Sequence, residues 1–179
     1  MRKAIFLDRD GVINIDTGYV YLKDDFLFMD GIYKFCRDIQ SRGYLLIVIT
    51  NQAGIARGYY SESDFQMLNN WMINQFSVQG IEIAKTYYCP YHPEYGIGKY
   101  KFDSPDRKPN PGMILKSRDE FDIDIPKSVL IGDKVDDMIA GHRAGIGQLM
   151  FLHGRYEPLE MDFSYDVCDS FDAIRARIR

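Results

Sequence analysis

The sequence predicts an α/β fold: a doubly wound, Rossmann-like parallel sheet with helices on both faces, closed as one domain over residues 1–179. Three observations lead there. Short runs such as AIFL (4–7), YLLIVIT (44–50), SVLIGD (128–133) and QLMFL (148–152) are apolar almost throughout, as strands buried on both faces require. Segments of helical periodicity separate most of them. Two of the runs stop abruptly at a carboxylate, Asp8 and Asp133, and open α/β sheets bind ligands at the carboxyl ends of their strands.

The elements follow in order. Residues 4–7 form the first strand, and the Gly-, Asp- and aromatic-rich 15–29 a loop over the strand ends. A helix over about 30–42 places Ile32, Phe35, Cys36 and Ile39 on one face and stops at Gly43. Residues 44–50 are the second strand and 51–58 a loop. The next helix starts at Ser61, whose spacing to Asp64 approximates a capping box; Phe65, Leu68, Trp71, Met72 and Phe76 make its apolar face, and Gly80 ends it. Residues 81–88 are a third strand and 89–110 a long Pro-, Gly- and Tyr-rich loop. Pro111 opens a short helix running to about 120. A strand at 128–133, a helix at 135–144, a fifth strand at 148–152 and a helix at 170–178 complete the chain.

Composition narrows the function. With 46% hydrophobic and 27% charged residues the chain is expected to fold as a soluble protein. Its apolar runs are too short to span a bilayer, and the N-terminus lacks the features of a signal peptide, so a cytoplasmic protein is expected. A net charge of -4 argues against a nucleic-acid partner. Three widely spaced cysteines, Cys36, Cys89 and Cys168, do not make a disulfide framework. No exposed apolar stripe is evident, which favours a monomer.

The fold rule gathers Asp8 and Asp10, Thr50 and Asn51, and Asp133 at one edge, within reach of Arg107 and Lys108. Three converging carboxylates repel one another unless a hard cation lies among them. Mg2+ fits, because it takes oxygen ligands from one or two carboxylates and shares its remaining positions with water and phosphate. Lys108 adds a point charge for a phosphoryl oxygen, and Thr50 a hydroxyl donor. In such a pocket Asp8 is the natural nucleophile, forming an aspartyl phosphate. Asp10 then protonates the leaving alkoxide and later deprotonates the hydrolytic water.

The segments DRDGVIN, VITN, RKPNPGM and GDKVDD resemble, in order, the four motifs of the haloacid dehalogenase (HAD) superfamily. The longer stretches LDRDGVIN, VITNQAGIARG, YYCPYHP and GDKVDDMIAG are similar to the branch that holds heptose bisphosphate phosphatases and histidinol-phosphatases. The resemblance implies that Asp8 is nucleophile and Mg2+ ligand, that Asp10 is acid/base and ligates through its backbone carbonyl, and that Asp133 is the third ligand. It implies that Thr50 and Lys108 hold the phosphate, that Asn51, Arg107 and Lys134 line the substrate site, and that Asp137 orients Lys108 or Lys134. No large cap domain is expected. Arg57 and Arg107 are candidates for the far end of a sugar bisphosphate, which an arginine fork suits, and the loop at Gly18, Tyr19 and Val20 is a candidate to close over the sugar. The implied substrate is D-glycero-D-manno-heptose 1,7-bisphosphate, losing its 7-phosphate on the way to nucleotide-heptose and surface polysaccharide. Histidinol phosphate is the alternative, and an inactive phosphate-binding module a third reading.

Many members of this branch carry a zinc loop. Here Cys89 stands alone: Tyr91, Ser104 and Asp106 occupy the other ligand positions, and one thiolate cannot build a tetrahedral structural site. No structural zinc is expected, and packing of Tyr91, Tyr95, Tyr100 and Phe102 is expected to hold residues 89–107 instead. His92, His142 and His153 are expected to have no catalytic role.

Overall fold

The computed structural model describes residues 1–179. The chain forms strands β1 (Ala4–Leu7), β2 (Leu45–Asn51), β3 (Ile83–Cys89), β4 (Val129–Gly132), β5 (Gln148–Leu152) and β6 (Asp166–Cys168). Helices are α1 (Ile32–Ser41), the single turn α2 (Ala53–Ala56), α3 (Glu62–Val78), α4 (Gly112–Phe121), α5 (Val135–Ala144) and α6 (Phe171–Arg177). All strands pair in parallel in the order β3-β2-β1-β4-β5-β6. The chain reverses its direction of travel across the sheet between β1 and β4, and Asp8 and Asp133 follow those two strands. No helix is long and apolar enough to cross a membrane.

Strand alternation divides the interior into two cores. Ile5, Leu7, Leu46, Val48, Val129 and Ile131 face one side, where Phe35 and Ile39 of α1, Leu68, Met72 and Phe76 of α3, and Ile174 of α6 cover them. Ala4, Phe6, Ile47, Ile49 and Leu130 face the other, against Met113 and Ile114 of α4 and Met138 and Ala140 of α5. Because both faces are covered, each central strand reads as an unbroken apolar run.

The helix signals at Ser61 hold. The Asp64 amide donates to Ser61 Oγ at 3.0 Å and the Ser61 amide to Asp64 Oδ2 at 2.8 Å, closing a capping box. Trp71 is only partly buried, packing on the rim of the core that Phe65's neighbours Leu68 and Met72 fill. Differences from the expected elements have local causes. β6 was not foreseen: its three residues at the sheet edge alternate with acids and expose Asp166 and Val167, so no apolar run marks it. Asn51 belongs to β2 rather than to the loop, and Ala53–Ala56 makes a helical turn within the expected loop. Within 15–29, Val20 and Phe26 are buried, which ties that loop to the body.

Replacing Ser61 with Ala removes one cap of α3. It is expected to cost about 1 kcal/mol and lower Tm by a few degrees, with phosphatase kinetics unchanged. Calorimetry and a phosphate-release assay check this.

Candidate active site

The site is built from side chains that leave the carboxyl ends of β1, β2 and β4, and from the loop before α4. Lys108 is its centre. The ammonium is almost wholly buried and spends its three donors on three acceptors: Asp8 Oδ1 at 2.9 Å, Asp137 Oδ1 at 2.6 Å and the Ile49 carbonyl at 3.1 Å. Its backbone is bracketed by Asn51, whose side-chain amide donates to the Lys108 carbonyl and accepts from the Lys108 amide, both at 3.0 Å. Burial opposes the charge on Lys108, but Asp137 and Asp8 outweigh it and hold the ammonium above its ordinary proton affinity. Lys108 is therefore a fixed cation.

The carboxylates differ in how far they are compensated. Carboxylate oxygens of Asp8, Asp133 and Asp137 all lie within 4.8 Å of one another, and all three residues are buried. Asp137 is committed: one oxygen faces Lys108 and the other accepts the Lys134 amide at 3.1 Å. Asp8 Oδ1 accepts from Lys108 and from the Arg9 amide at 2.8 Å, leaving Oδ2 for other chemistry. Asp133 is only 2% exposed and neither of its oxygens has a hydrogen-bond partner. Burial, joined by the charges of Asp8 and Asp137, pushes the Asp133 carboxyl up to about 8. Burial likewise outweighs Lys108 at Asp8 and raises it to about 6. Two buried acids short of positive charge, with free oxygens turned to the same space, fit a hard divalent cation.

Glycine permits this crowding. Gly11 has φ +92°, a conformation L side chains rarely adopt, and a Cβ there would stand 2.0 Å from Asp133 Oδ2. The carboxylate from the fourth strand thus rests against the bare α-carbon that follows the first.

Asp10 sits apart from that trio. Arg9 Nη2 donates to Asp10 Oδ1 at 2.8 Å and Asn14 Nδ2 to the same oxygen at 3.1 Å, while Gln52 Nε2 donates to Oδ2 at 3.2 Å. Burial alone would raise the Asp10 carboxyl; the Arg9 charge and the hydrogen bonds from Arg9 and Asn14 bring it below its ordinary value. Gln52 Nε2 also donates to Thr50 Oγ1 at 2.8 Å, and the Tyr60 hydroxyl donates to Gln52 Oε1, fixing which way the amide faces.

Beside Asp10 opens a cavity of about 310 Å³ lined from four loops, with Asn51, Gln52, Lys134, Arg155 and Tyr19 among its walls. Lys134 Nζ stands 3.5 Å from Asp16 Oδ2 and 4.8 Å from the Tyr156 ring centre.

The expected residues Asp8, Asp10, Thr50, Asn51, Lys108, Asp133 and Lys134 therefore converge. Arg57 and Arg107 do not line the cavity: Arg57 stacks on Tyr95 at 4.0 Å, and Arg107 donates to the Tyr91 carbonyl at 3.4 Å. Asn51 borders the cavity, but its amide is occupied with Lys108. Sequence reasoning missed Arg9, Gln52, Tyr60, Asp16, Arg155 and Tyr156. Arg9 and Gln52 adjoin motif residues and could have been read as their counter-charge and donor. Nothing local marks Arg155, whose role arises from contact with a segment 139 positions earlier.

The loop expected to pack through its aromatic residues does so. Tyr91 meets Phe102 edge-on at 5.4 Å and Tyr100 at 6.1 Å, and Tyr95 lies 4.7 Å from His92. Tyr100 and Tyr88 donate to the two oxygens of Glu62, at 2.7 and 2.8 Å, which fastens the loop to α3.

Comparison with known proteins agrees with this geometry. The HAD-hydrolase-like family model matches residues 106–174. The chain is 52% identical over 153 residues to the D-glycero-alpha-D-manno-heptose-1,7-bisphosphate 7-phosphatase of Burkholderia mallei, covering 86% of this chain and 81% of that one. It is 50% identical over 146 residues to the beta-anomer 7-phosphatase of Vibrio cholerae, covering 82% and 78%. A crystal structure of the D,D-heptose 1,7-bisphosphate phosphatase of B. bronchiseptica, complexed with magnesium and phosphate, has the same fold: TM-score 0.81, 24% identity, 98% of this chain and 97% of that one.

Above about pH 8, where the Asp133 carboxyl is ionised, replacing it removes a repulsion, so the melts are compared there. In EDTA, the Asp133→Asn variant is expected to melt at a higher temperature than the wild type. Millimolar Mg2+ should raise the Tm of the wild type and leave the variant where it was; thermal melts with and without the ion read both effects. With four ordered motifs on one sheet edge and 52% identity over 153 residues to a named phosphatase, the chain belongs to the haloacid dehalogenase superfamily of phosphatases.

Proposed function

We propose that the chain is a Mg2+-dependent phosphatase that removes the 7-phosphate of D-glycero-D-manno-heptose 1,7-bisphosphate through a phospho-Asp8 intermediate. The observation that carries the chemistry is the buried, unpartnered pair of Asp133 oxygens facing an Asp8 that Lys108 holds by one oxygen only. The substrate is supported by relatives of about 50% identity that bear that activity in their names.

Asp8 attacks phosphorus with Oδ2 while Lys108, through Oδ1, fixes the carboxylate plane. The phosphorus–oxygen bond to the sugar breaks as the new bond to Asp8 forms. Asp10 gives its proton to the departing sugar oxygen. Asp10 is held below its ordinary proton affinity in the resting site; the arriving phosphate, carrying like charge, raises it again. In the second step Asp10 takes a proton from water, which attacks the phospho-Asp8 phosphorus and releases phosphate with Asp8 restored. Thr50 Oγ1 accepts from Gln52 and donates to the Asn51 carbonyl at 3.5 Å, so its proton reaches a phosphoryl oxygen only by leaving that long contact. All three donors of Lys108 are spent at rest, so it contacts the phosphoryl group only by exchanging one of its partners. Asp8, Asp133 and the Asp10 carbonyl would hold Mg2+, which would supply neutralisation of the charge on the phosphoryl oxygens. Lys134 and Asn51 border the sugar; Arg57 and Arg107 reach a remote phosphate only by leaving Tyr95 and the Tyr91 carbonyl.

Phosphate release should be measured on both heptose bisphosphate anomers and on histidinol phosphate, with Mg2+ and with EDTA. A heptose bisphosphate is expected to give the highest kcat/KM, and EDTA to abolish turnover. A higher value for histidinol phosphate overturns the substrate. The Asp8→Asn variant is expected to lose activity by orders of magnitude with an unchanged circular dichroism spectrum; near-normal rates would remove the covalent step.

Structural zinc is not part of this reading, because Cys89 is the loop's one thiolate and, of the residues at the other ligand positions, Tyr91, Ser104 and Asp106, only the last is a usual zinc ligand. Elemental analysis of protein purified without chelator is expected to find zinc far below one atom per chain. Stoichiometric zinc would mean that the loop is fastened by more than its aromatic residues and Glu62.

A further inference from the structure

The cavity beside Asp10 has a wall that the catalytic residues do not supply. After β5 the chain runs through residues 153–165. This segment is pinned to the body where Phe163 stacks on His142 of α5 with ring centres 4.1 Å apart, and by Tyr165 against Phe151. Pinned there, it presents Arg155 and Tyr156 to the cavity.

Both residues converge on Asp16. Arg155 Nη1 donates to the Asp16 backbone carbonyl at 3.0 Å and lies 3.5 Å from Asp16 Oδ1. The Tyr156 hydroxyl donates to Asp16 Oδ2 at 3.3 Å. Lys134 approaches the same oxygen, and the Asp16 side chain is 7% exposed. A carboxylate so enclosed, with two cations and a phenol around it, is a joint between the loops that follow β1, β4 and β5.

What the joint holds is the turn beyond it. Asp16 Oδ1 accepts the Gly18 amide at 3.0 Å. Gly18 and Tyr19 then adopt successive positive φ values of 91° and 51°. The tyrosine is an uncommon occupant of that region, and a conformation of this kind persists only where its surroundings impose it. The turn is tied again at Val20, whose carbonyl accepts from Arg9 Nη2 at 2.6 Å. Between the two ties Tyr19 remains 46% exposed and borders the cavity, with Tyr59 edge-on at 4.8 Å.

We propose that Arg155 and Tyr156 are positioning residues for the substrate: acting through Asp16, they hold the Gly18–Tyr19 turn as a preformed wall of the sugar cavity. This rests on the phosphatase reading above. The wall touches the part of the substrate beyond the reacting phosphate, so its loss weakens binding of an extended sugar phosphate and scarcely alters the bond-breaking step. Preformed walls gain affinity by sparing the cost of ordering a loop on binding.

The test compares wild type, Arg155→Ala, Arg155→Lys and Tyr156→Phe on two substrates. One is the sugar phosphate that the wild type turns over best in a panel including heptose 1,7-bisphosphate; the other is p-nitrophenyl phosphate. For Arg155→Ala, KM for the sugar phosphate is expected to rise at least tenfold with kcat within about threefold. The loss in kcat/KM should be at least five times larger on the sugar phosphate than on p-nitrophenyl phosphate. Arg155→Lys, which keeps a donor for the Asp16 carbonyl, should recover part of KM, and Tyr156→Phe should show a smaller rise. Equal losses on both substrates, a fall in kcat at constant KM, or no change overturns the proposal. The wild-type panel separates the two readings, since a best substrate other than heptose bisphosphate removes the substrate assignment while the positioning test proceeds on that substrate.

Discussion

The structure turns on one buried ammonium. Lys108 has no water to solvate it, and its charge is balanced by Asp8 and Asp137 with a carbonyl completing its donors. Deleting one member of a buried pair leaves the other uncompensated, so these residues stand or fall together. The arrangement forces the loop before α4 down onto the ends of β1, β2 and β4. It also orients Asp8, which is held by Oδ1 and so keeps Oδ2 free, as the proposed attack requires. Asp133 is the exception to the balance: its buried oxygens have no protein partner, and burial with the neighbouring carboxylates pushes its carboxyl up to about 8.

Asp10, the proposed acid/base, lies in a separate network with its own cation, Arg9. Keeping the two charge systems apart lets one fold hold neighbouring carboxylates in different states. Asp8 and Asp133 are pushed up by burial, whereas Asp10 is drawn down by Arg9. Gln52 links the second network to Thr50, so Asp10 and the Thr50 hydroxyl share one amide, itself fixed by Tyr60.

The sheet was legible because its central strands are buried on both faces and so read as apolar runs, and Asp8 and Asp133 because each ends such a run. Ser61 and Asp64 announced α3 through a local capping pair. The remainder depends on contacts that no local pattern encodes. β6 is short, charged and at an edge, held by pairing with β5 rather than by burial of its own. Arg57 and Arg107 sit in Gly- and Pro-rich loops whose course sequence does not specify, and they are occupied with Tyr95 and the Tyr91 carbonyl instead of facing the cavity. Arg155 and Tyr156 matter only because the loop after β5 meets the loop after β1. Specificity elements on loops are, for that reason, harder to read than catalytic ones at strand ends.

Gly11 ties the chemistry to the alignment of the sheet. The Asp133 carboxylate is seated on an α-carbon without a side chain, and the neighbouring Asp8 amide donates to the Ile131 carbonyl at 3.0 Å. Two strands from opposite ends of the chain are thus gauged against each other at atomic contact. A slip of β1 along β4 by a fraction of a residue would open or crush the gap between Asp8 and Asp133. The pocket's shape is therefore a readout of strand register: the proposed metal site exists only when the first and fourth strands are correctly aligned.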